Sequence, residues 1–484
     1  MRVYTHAASS MYKKEAMKKL THPGITIRIT LAILLFNSNC VFALHDQAAA
    51  IRYQLSRQTS KLYYPLSVKR FYAAANFRLA WLAPDTVKTH AYDAMLMLDC
   101  VRQYGLNHAD YHPDQLLYDK LNFITTNYNR ASEDEKATFD IFLTDAMIRL
   151  VNNLHYGRLN PKYKSRLLDS RVNDGLCADD ILLRAVHGDN FTVSMEAVQP
   201  RSDQYHDLQL QMHLMAGVYV GDCYGIPEAS LRRVAVNMER LRWMPVNGRT
   251  YIQINIPSLT LKLHRGDTDI SYRVAVGKRE TPALMASGAL TSIVVGPPVP
   301  DNRRWLPPSI SNISSVEEHG FQVYDRNGKW IDPTVANIKM ARQNPAKYKL
   351  ISAPAVGPGK GSGILFKMNG IAGVHLLGCT GGLLYKPRQP ATSNGTIQLV
   401  QAENLADALL KGDNSLHSAE QLHRVIARKE RSNYRFKKPM PVYITYLTCA
   451  VKDGLLETYE DVYHKDDHLA SVMFKGATVL PPYQ

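Results

Sequence analysis

The spacing of apolar residues changes at Asn247-Gly248, and this change constrains the fold more than any other feature of the chain. Over residues 91–101, apolar side chains recur at i, i+3, i+4 and i+7, which is the pattern of one helix face. Over residues 252–276, aliphatic residues alternate with polar ones, which is typical of strands in a meander. A composition of 45% hydrophobic and 21% charged residues excludes a disordered, collagen-like or coiled-coil chain. The sequence therefore predicts the α+β class, with a mainly α-helical N-terminal half and a β-rich part after it.

Capping signals bound individual helices on the N-terminal side. Ser132 and Glu135 form a capping-box pattern before the apolar run of a helix that ends near Gly157. Another helix is expected from about residue 228 to residue 243. Residues 160–205 are polar without a clear period, and we expect irregular structure there.

Residues 1–43 have the organisation of an export signal. Met17 is the better translation start, because Lys18-Lys19 follows it as a basic region and the apolar run 29–36 comes next. Val41-Phe42-Ala43 provides the small residues that a signal peptidase requires, which predicts cleavage before Leu44 and a periplasmic mature chain. A single membrane anchor is the alternative, although the apolar run is short for a span.

The C-terminal part is expected to contain two helices, a basic run and a late strand. Short strands and loops continue to about Leu399, and the helices are expected over residues 402–410 and 418–429. The run 431–438 contains four cations and no acidic residue, and a strand over 442–446 follows. An exported protein rarely meets nucleic acid, so a solvated face or contact with an anionic envelope polymer is favoured for the basic run.

Neither the cysteines nor the standard motifs identify a metal or cofactor site. Five of the six cysteines remain after the signal is removed, without a C-x-x-C pair, and their odd number leaves at least one free thiol. Cys100 and Cys449 lie among apolar residues and are expected to be packing residues. The chain has no Walker A loop, G-x-S-x-G elbow or H-E-x-x-H motif, so we expect no cofactor and no metal. His264 and His375 lie in strand-like runs and are expected to be structural.

Several segments in the order of the chain resemble one enzyme family. On the C-terminal side they are Leu241-Arg242-Trp243-Met244-Pro245, Tyr251-Ile252-Gln253-Ile254-Asn255-Ile256-Pro257, Leu306-Pro307-Pro308-Ser309-Ile310, Pro441-Val442-Tyr443-Ile444-Thr445-Tyr446 and Asp461-Val462-Tyr463. These segments resemble the large L,D-transpeptidases, the YkuD-type enzymes that cross-link peptidoglycan. Phe71-Tyr72-Ala73-Ala74-Ala75-Asn76-Phe77 with Trp81, and the stretches 105–111 and 154–161, resemble the helical scaffold domain of the same enzymes.

The resemblance implies a division of the chain into four parts. Residues 1–43 are the signal, 44–235 the helical scaffold domain, 248–413 the L,D-transpeptidase-like domain, and 414–484 a helix and strand extension that packs on that domain. The family usually inserts a compact peptidoglycan-binding helical domain before the Leu-Arg-Trp segment. The space from about 190 to 230 is too short to hold a complete one.

The resemblance also locates the catalytic motif and implies three replacements. The family reaction is acyl transfer by a cysteine thiolate, which needs a neighbouring histidine and backbone N–H groups for the oxyanion. The corresponding motif is Ser393-Asn394-Gly395-Thr396-Ile397-Gln398-Leu399. Thr396 stands where the family has its cysteine, and Gln398 stands where it has an arginine. Leu377 falls at the position of the upstream histidine, and Asn394 with Gly395 precedes the nucleophile position.

Two residues near Leu377 leave the chemistry open. His375 and Cys379 flank it, so an imidazole and a thiol remain near the motif. The replacements predict a catalytically impaired family member that binds peptidoglycan stem peptides, with no nucleic-acid partner and no membrane contact beyond an uncleaved signal. The alternative is an active L,D-transpeptidase that uses Cys379 or Thr396, and an interaction protein unrelated to peptidoglycan is the third hypothesis.

Overall fold

The computed structural model describes residues 47–172, 175–217, 228–244, 246, 248–277, 282–283, 285–296, 321–325, 330–331, 334–344, 347–352, 363–371, 374–379, 391–393, 396–428 and 430–475. The predicted signal and the family-like step at 306–310 lie outside these ranges. The described chain forms two compact units. One contains the residues up to Arg102 together with Leu106–Gln199, and the other contains Gln103–Gly105 with the residues from Pro200 onwards. Helices come first and a strand-rich part follows, which confirms the predicted α+β class.

The first unit is helical. Its α-helices are α1 (residues 47–58), α2 (Pro65–Ala74), α3 (Ala91–Asp99), α4 (Tyr118–Thr126), α5 (Glu133–Tyr156), α6 (Ser165–Asp169), α7 (Ala178–Val186) and α8 (Phe191–Glu196). Short 3-10 segments occur at Thr59–Lys61, Cys100–Tyr104 and His108–Asp110.

Helix α5 is the central element of this unit. Eighteen of its 24 residues are buried, so it is surrounded by the other elements rather than lying on the surface. Its predicted capping box is confirmed, because the Glu135 N–H donates to Ser132 Oγ at 3.2 Å and the Ser132 N–H donates to Glu135 Oε2 at 3.0 Å. Gly157 ends the helix with a φ of +86°, which glycine adopts at little cost.

A buried carboxylate on α5 joins two segments that resemble the family scaffold. Asp140 accepts hydrogen bonds from the Tyr72 hydroxyl at 2.6 Å and from the backbone N–H of Trp81 at 2.9 Å. The backbone N–H of Ala80 also donates to it, at 3.0 Å. Burial raises the pKa of the fully buried Asp140 to about 6, so these donors offset only part of the cost of burying a carboxylate.

The expectation of irregular structure over residues 160–205 is wrong. Helices α6, α7 and α8 all lie in this stretch, and they contain five, nine and six residues. Segments this short span at most about two and a half turns, so they give only a weak periodic signal. In α7 the buried apolar residues Ala178, Leu182 and Ala185 do recur on one face.

The second unit contains six helices and fourteen strands among its described residues. The helices are α9 (Asp203–Gly217), α10 (Glu228–Arg242), α11 (Val335–Gln343), α12 (Ala402–Gly412), α13 (Leu416–Arg428) and α14 (Asp466–Met473). The strands are β1 (Thr250–Asn255), β2 (Thr260–Arg265), β3 (Thr268–Gly277), β4 (Ala286–Val295), β5 (Phe321–Asp325), β6 (Trp330–Ile331), β7 (Tyr348–Ser352), β8 (Ile364–Asn369), β9 (His375–Cys379), β10 (Ala391–Ser393), β11 (Thr396–Val400), β12 (Ser432–Thr445), β13 (Cys449–Lys452) and β14 (Leu455–Thr458). In the part of the chain that the structure describes, no helix is both long enough and apolar enough to cross a membrane.

The main sheet has the strand order β10-β3-β11-β9-β8-β4-β12-β1-β2. Strand β2 also pairs with β3, so eight strands close on themselves in a barrel-like arrangement and β10 adds to β3. The β1-β2-β3 pairings are antiparallel, which confirms the predicted meander. Outside this sheet, β6-β5-β7 and β13-β14 form smaller sheets.

Strand β12 spans most of the basic run 431–438 and most of the late strand 442–446, which the sequence analysis treated as separate. Tyr434 and Phe436 belong to the hydrophobic core, whereas Arg435 and Lys437 are exposed, so alternate residues face opposite sides. A register shift between Arg435 and Met440 interrupts the pairing with β4. The alternation of buried and exposed residues runs through both segments, but the charged residues made it hard to recognise in the sequence.

A buried ion pair at the end of α10 holds the Leu-Arg-Trp segment in place. Arg242 and Glu239 have no exposed side-chain surface and lie 3.4 Å apart. Arg242 Nη2 donates to the Tyr205 hydroxyl at 2.8 Å and to the carbonyl of Tyr104. Trp243 Nε1 donates to Glu239 Oε1 at 2.9 Å. Both residues after Leu241 therefore bind the same carboxylate.

The two cysteines expected to pack in the core differ in their surroundings. Cys449 is fully buried, which confirms the expectation, and burial raises the pKa of its thiol to about 12. Cys100 is exposed, so the expectation is wrong there. Cys100 lies directly after α3, where the chain enters a 3-10 segment and the helical periodicity no longer applies.

Candidate functional site

Strands β9 and β11 lie side by side and run parallel, and their register decides which predicted site residues meet. Thr396 is paired with His375, and Gln398 is paired with Leu377. Neighbouring strands are about 4.8 Å apart. The backbone therefore brings Thr396 next to His375. Leu377, which the resemblance assigns to the family's histidine position, lies two pairs farther along, opposite Gln398.

The row that contains Leu377 is on the face of the sheet opposite the hydrophobic core. Leu365, Leu377, Gln398 and Ala275 are register partners on the adjacent strands β8, β9, β11 and β3. The other face contributes to the core through Leu376, Ile397 and Leu399. Leu377 and Gln398 are nevertheless only 9% and 4% exposed. The candidate motif thus adjoins a covered surface in which an amide and an aliphatic side chain lie side by side.

Cys379 is separated from the Thr396–His375 pair along the strand. It is the last residue of β9 and pairs with Val400. Four residues of strand correspond to roughly 13 Å. The backbone brings Thr396 and His375 together but does not bring Cys379 to them, and Asn394 and Gly395 fall within a gap in the described residues.

The end of β11 is fixed by an immediate transition into α12. Gln401 joins them with a φ of +59°, a left-handed conformation that is uncommon outside glycine. Helix α12 then buries Leu405 and Leu409 in the hydrophobic core. The motif therefore lies on a strand whose far end is anchored by helix packing.

A tyrosine from the C-terminal segment holds the strand next to β11. The Tyr463 hydroxyl donates to the carbonyl of Gly277 at 2.7 Å and accepts from the N–H of Ala283 at 3.2 Å. Gly277 is the last residue of β3, and it pairs with Ser393 of β10. Since Ser393 is only three residues before Thr396, the C-terminal segment positions backbone beside the candidate motif.

Tyr463 is itself held by a small network. Its N–H donates to the Tyr446 hydroxyl at 2.8 Å, and that hydroxyl donates to the carboxylate of Asp461. Burial acts to raise the pKa of Asp461, because it disfavours the charged carboxylate. The hydrogen bonds from Tyr446 and from the N–H groups of Asp466 and Lys465 outweigh burial, so the pKa lies below its ordinary value. The carboxylate is therefore ionised when the network is intact.

Sequence reasoning did not identify Tyr463 as a residue of this site. Tyr463 and Gly277 are 186 residues apart, and no local pattern connects positions at that separation. The only signal was the family-like stretch 461–463, which indicated a match without indicating a contact.

Two residue types that acyl transfer uses are register partners on β9 and β11. A nucleophile, a base and backbone N–H donors are what that reaction requires, and Thr396 and His375 are residue types with the first two roles. Among the residues that the structure describes, no group of three His, Cys, Asp or Glu residues could hold a metal ion.

Two comparisons connect the chain with known proteins. A family model described as a Scaffold domain matches residues 66–212. A protein of Haemophilus influenzae named "Putative L,D-transpeptidase" is 26% identical over 243 residues, which are 49% of this chain and 48% of the relative. The chain therefore spans about half the length of the relative that it matches.

The helical scaffold, the strand-rich domain that follows it and these two matches agree with one class of protein. They support membership of the chain in the L,D-transpeptidase family, as the sequence resemblance predicts. The order of the two parts, a helical scaffold before a strand-rich domain, agrees with the large L,D-transpeptidases that the sequence resemblance indicates.

Proposed function

We propose that this chain is an exported, envelope-facing member of the family that binds peptidoglycan stem peptides and is catalytically impaired. The observation that carries the proposal is the residue type at the start of β11. The resemblance assigns that position to the nucleophile, and the chain has Thr396 there. Gln398, two residues later, replaces the arginine of the family pattern.

A threonine hydroxyl is a weak substitute for a catalytic thiol. A free cysteine is a few per cent thiolate near neutral pH, whereas a hydroxyl is essentially un-ionised unless a strong base adjoins it. Removal of the nucleophile from comparable acyl-transfer sites costs on the order of 10⁶ in rate. Leu377 at the family's histidine position supplies no base, and Gln398 supplies no positive charge.

Binding need not be lost together with turnover. Ground-state binding and the chemical step use separable interactions, so a site without its nucleophile can still hold a peptide. Strands β8, β9, β11 and β3 retain a continuous, paired surface around the motif, which supports the binding part of the proposal.

An active enzyme is the second candidate, and the register of β9 and β11 favours one form of it. His375 lies beside Thr396, so a threonine nucleophile with a histidine base is chemically possible. Nucleophilic attack by Cys379 is less favoured, because its backbone lies roughly 13 Å along the strand from that pair.

The location in the cell envelope is also part of the proposal. It is supported by the basic and apolar organisation of residues 18–36 and by the small residues Val41 and Ala43 ahead of Leu44. A periplasmic protein meets peptidoglycan and not nucleic acid, which agrees with the proposed ligand.

Co-sedimentation with purified sacculi tests the proposal. The mature wild type and the Thr396→Ala variant should both be enriched in the pellet to the same extent, because the hydroxyl has little role in ground-state binding. Neither should change the muropeptide profile of the sacculi. Absence of enrichment at low salt, with both proteins folded by circular dichroism, would refute the binding function.

A further inference from the structure

The face of β12, β4 and β8 that points away from the core carries two cations in register. Arg435 pairs with Ser292, and Ser292 pairs with Lys367. Paired residues share a face, so the two cations flank the serine, with backbones roughly 10 Å apart. Arg435 and Lys367 are exposed, whereas Ser292 is only 6% exposed between them. Neither cation has an ion-pair partner among the residues that the structure describes.

The row formed by Arg435, Ser292 and Lys367 continues across the sheet to the candidate motif. Phe366 pairs with Leu376 on β9, and the two strands are antiparallel. Lys367, the next residue, therefore stands level with His375, which is paired with Thr396. One line across five adjacent strands consists of Arg435, Ser292, Lys367, His375 and Thr396.

Cations occur on this line but not on the next one. The next line, two residues farther along the strands, contains only uncharged residues: Asn433, Val294, Leu365, Leu377 and Gln398. Lys437 is exposed on β12 as well, but its side chain donates to the carbonyl of Asn414 at 3.2 Å and its N–H donates to Asp413. Within the described ranges, Arg435 and Lys367 are thus the cations on this line without an ion-pair partner.

We propose that Lys367 and Arg435 form a carboxylate subsite for the stem peptide that binds with a backbone carbonyl at Thr396. This inference rests on the proposed function. Lys367 is two strands from Thr396, or roughly 10 Å, and Arg435 is four strands away, or roughly 19 Å. An extended peptide covers about 3.3–3.6 Å per residue, so a stem of four residues spans roughly 14 Å. Free carboxylates along such a peptide come level with Lys367 and within side-chain reach of Arg435.

The chemistry of the two cations suits this ligand. Lysine contributes a compact charge with three donors, and arginine contributes a planar fork that matches a carboxylate. The buried hydroxyl of Ser292 adds a possible donor between them. An acidic stem peptide is therefore the occupant that the row fits, since a neutral peptide offers the two cations no opposite charge.

A pair of synthetic peptides tests the subsite. One is a stem tetrapeptide with free carboxylates, and the other is the same peptide with those carboxylates amidated. Their affinities are measured by isothermal titration calorimetry for the full mature chain and for Lys367→Glu and Arg435→Glu. The control is Lys452→Glu, which makes the same charge change at an exposed strand cation on β13.

The wild type should bind the free-carboxylate peptide about threefold to tenfold more tightly than the amidated one. Each charge reversal on the row should weaken binding of the free-carboxylate peptide by about tenfold and leave the amidated peptide unaffected. The Lys452→Glu control should bind as the wild type does. If a reversal does not fold, Lys367→Gln and Arg435→Gln replace it, with about threefold effects expected.

Two outcomes separate this inference from the proposed function. If the row variants bind the free-carboxylate peptide as tightly as the wild type, or lose both peptides equally, the subsite is overturned and peptide binding stands. If the folded wild type binds neither peptide, the proposed function fails and the subsite fails with it.

Discussion

Replacement of Arg242 by methionine should destabilise the second unit far more than the same replacement of Arg232 on the same helix. The Arg242 side chain is completely buried against Glu239 and the Tyr205 hydroxyl. Arg232 pairs with Glu228 at 3.1 Å, but these side chains are 39% and 48% exposed. The two substitutions therefore remove the same chemical group from a buried ion pair and from an exposed one.

The expected difference in stability depends on the carboxylate that loses its arginine partner in each variant. Removing one partner of a buried ion pair costs about 3–5 kcal/mol, because the remaining charge is uncompensated. An exposed i,i+4 pair is worth about 0.3–0.5 kcal/mol. A typical domain has a total stability of about 5–15 kcal/mol, so only Arg242→Met should remove a large fraction of it. Adding Glu239→Gln to Arg242→Met removes the stranded charge and should restore part of the loss, since the amide oxygen can still accept from Trp243.

Urea unfolding, monitored by circular dichroism and by hydrogen exchange of peptides from residues 228–242, measures these differences. A free energy of unfolding for Arg242→Met within about 1 kcal/mol of that for Arg232→Met would refute the reasoning. So would a double variant that is no more stable than Arg242→Met alone.

Three further predictions concern the network around Tyr463, the scaffold and the motif. Asp461 has a pKa below its ordinary value, so its contribution to stability is fully present above about pH 4 and is lost as the pH falls below it. Asp461→Asn should flatten this acid dependence in thermal melts, and an unchanged profile would contradict the role of the network. Asp140→Ala should cost about 3–5 kcal/mol by calorimetry, because it strands the Tyr72 hydroxyl and the N–H groups of Ala80 and Trp81, and a loss below about 1 kcal/mol would contradict it. The combined variant Leu377→His, Thr396→Cys, Gln398→Arg should form cross-linked muropeptides faster than Thr396→Cys alone, by up to several orders of magnitude, and equal rates by chromatography would contradict this.

Much of the fold could be predicted because its signals are local. The period change at Asn247-Gly248, the capping box at Ser132 and the meander over 252–276 all depend on residues close in sequence. The short helices over 160–205 were missed because each gives too few turns for a period. The sequence analysis treated strand β12 as two segments, because its basic residues occupy the solvent-exposed face of an otherwise regular alternation.

The candidate site was less predictable because it depends on register between distant strands. The resemblance indicated Thr396 and Leu377 as site positions, and the pairing of β9 with β11 places the backbone of His375 beside that of Thr396. A shift of two residues changes which side chain adjoins the nucleophile position, and nothing local to either strand sets that shift. The alignment of Arg435 with Lys367 could not be predicted for the same reason, since it follows from two strand pairings taken together.

Intact-protein mass spectrometry of the mature chain with tetrapeptide muropeptides tests the central claim, that this chain binds stem peptides without turning them over. The wild type should show no covalent acyl adduct and yield no cross-linked product, and Thr396→Ala should behave identically. A carbapenem, used as an acylating probe, should likewise leave the mass of the wild type unchanged. An acyl or carbapenem adduct on the wild type, mapped by peptide sequencing to Thr396 or Cys379 and abolished by alanine at that position, would contradict the claim and identify the nucleophile.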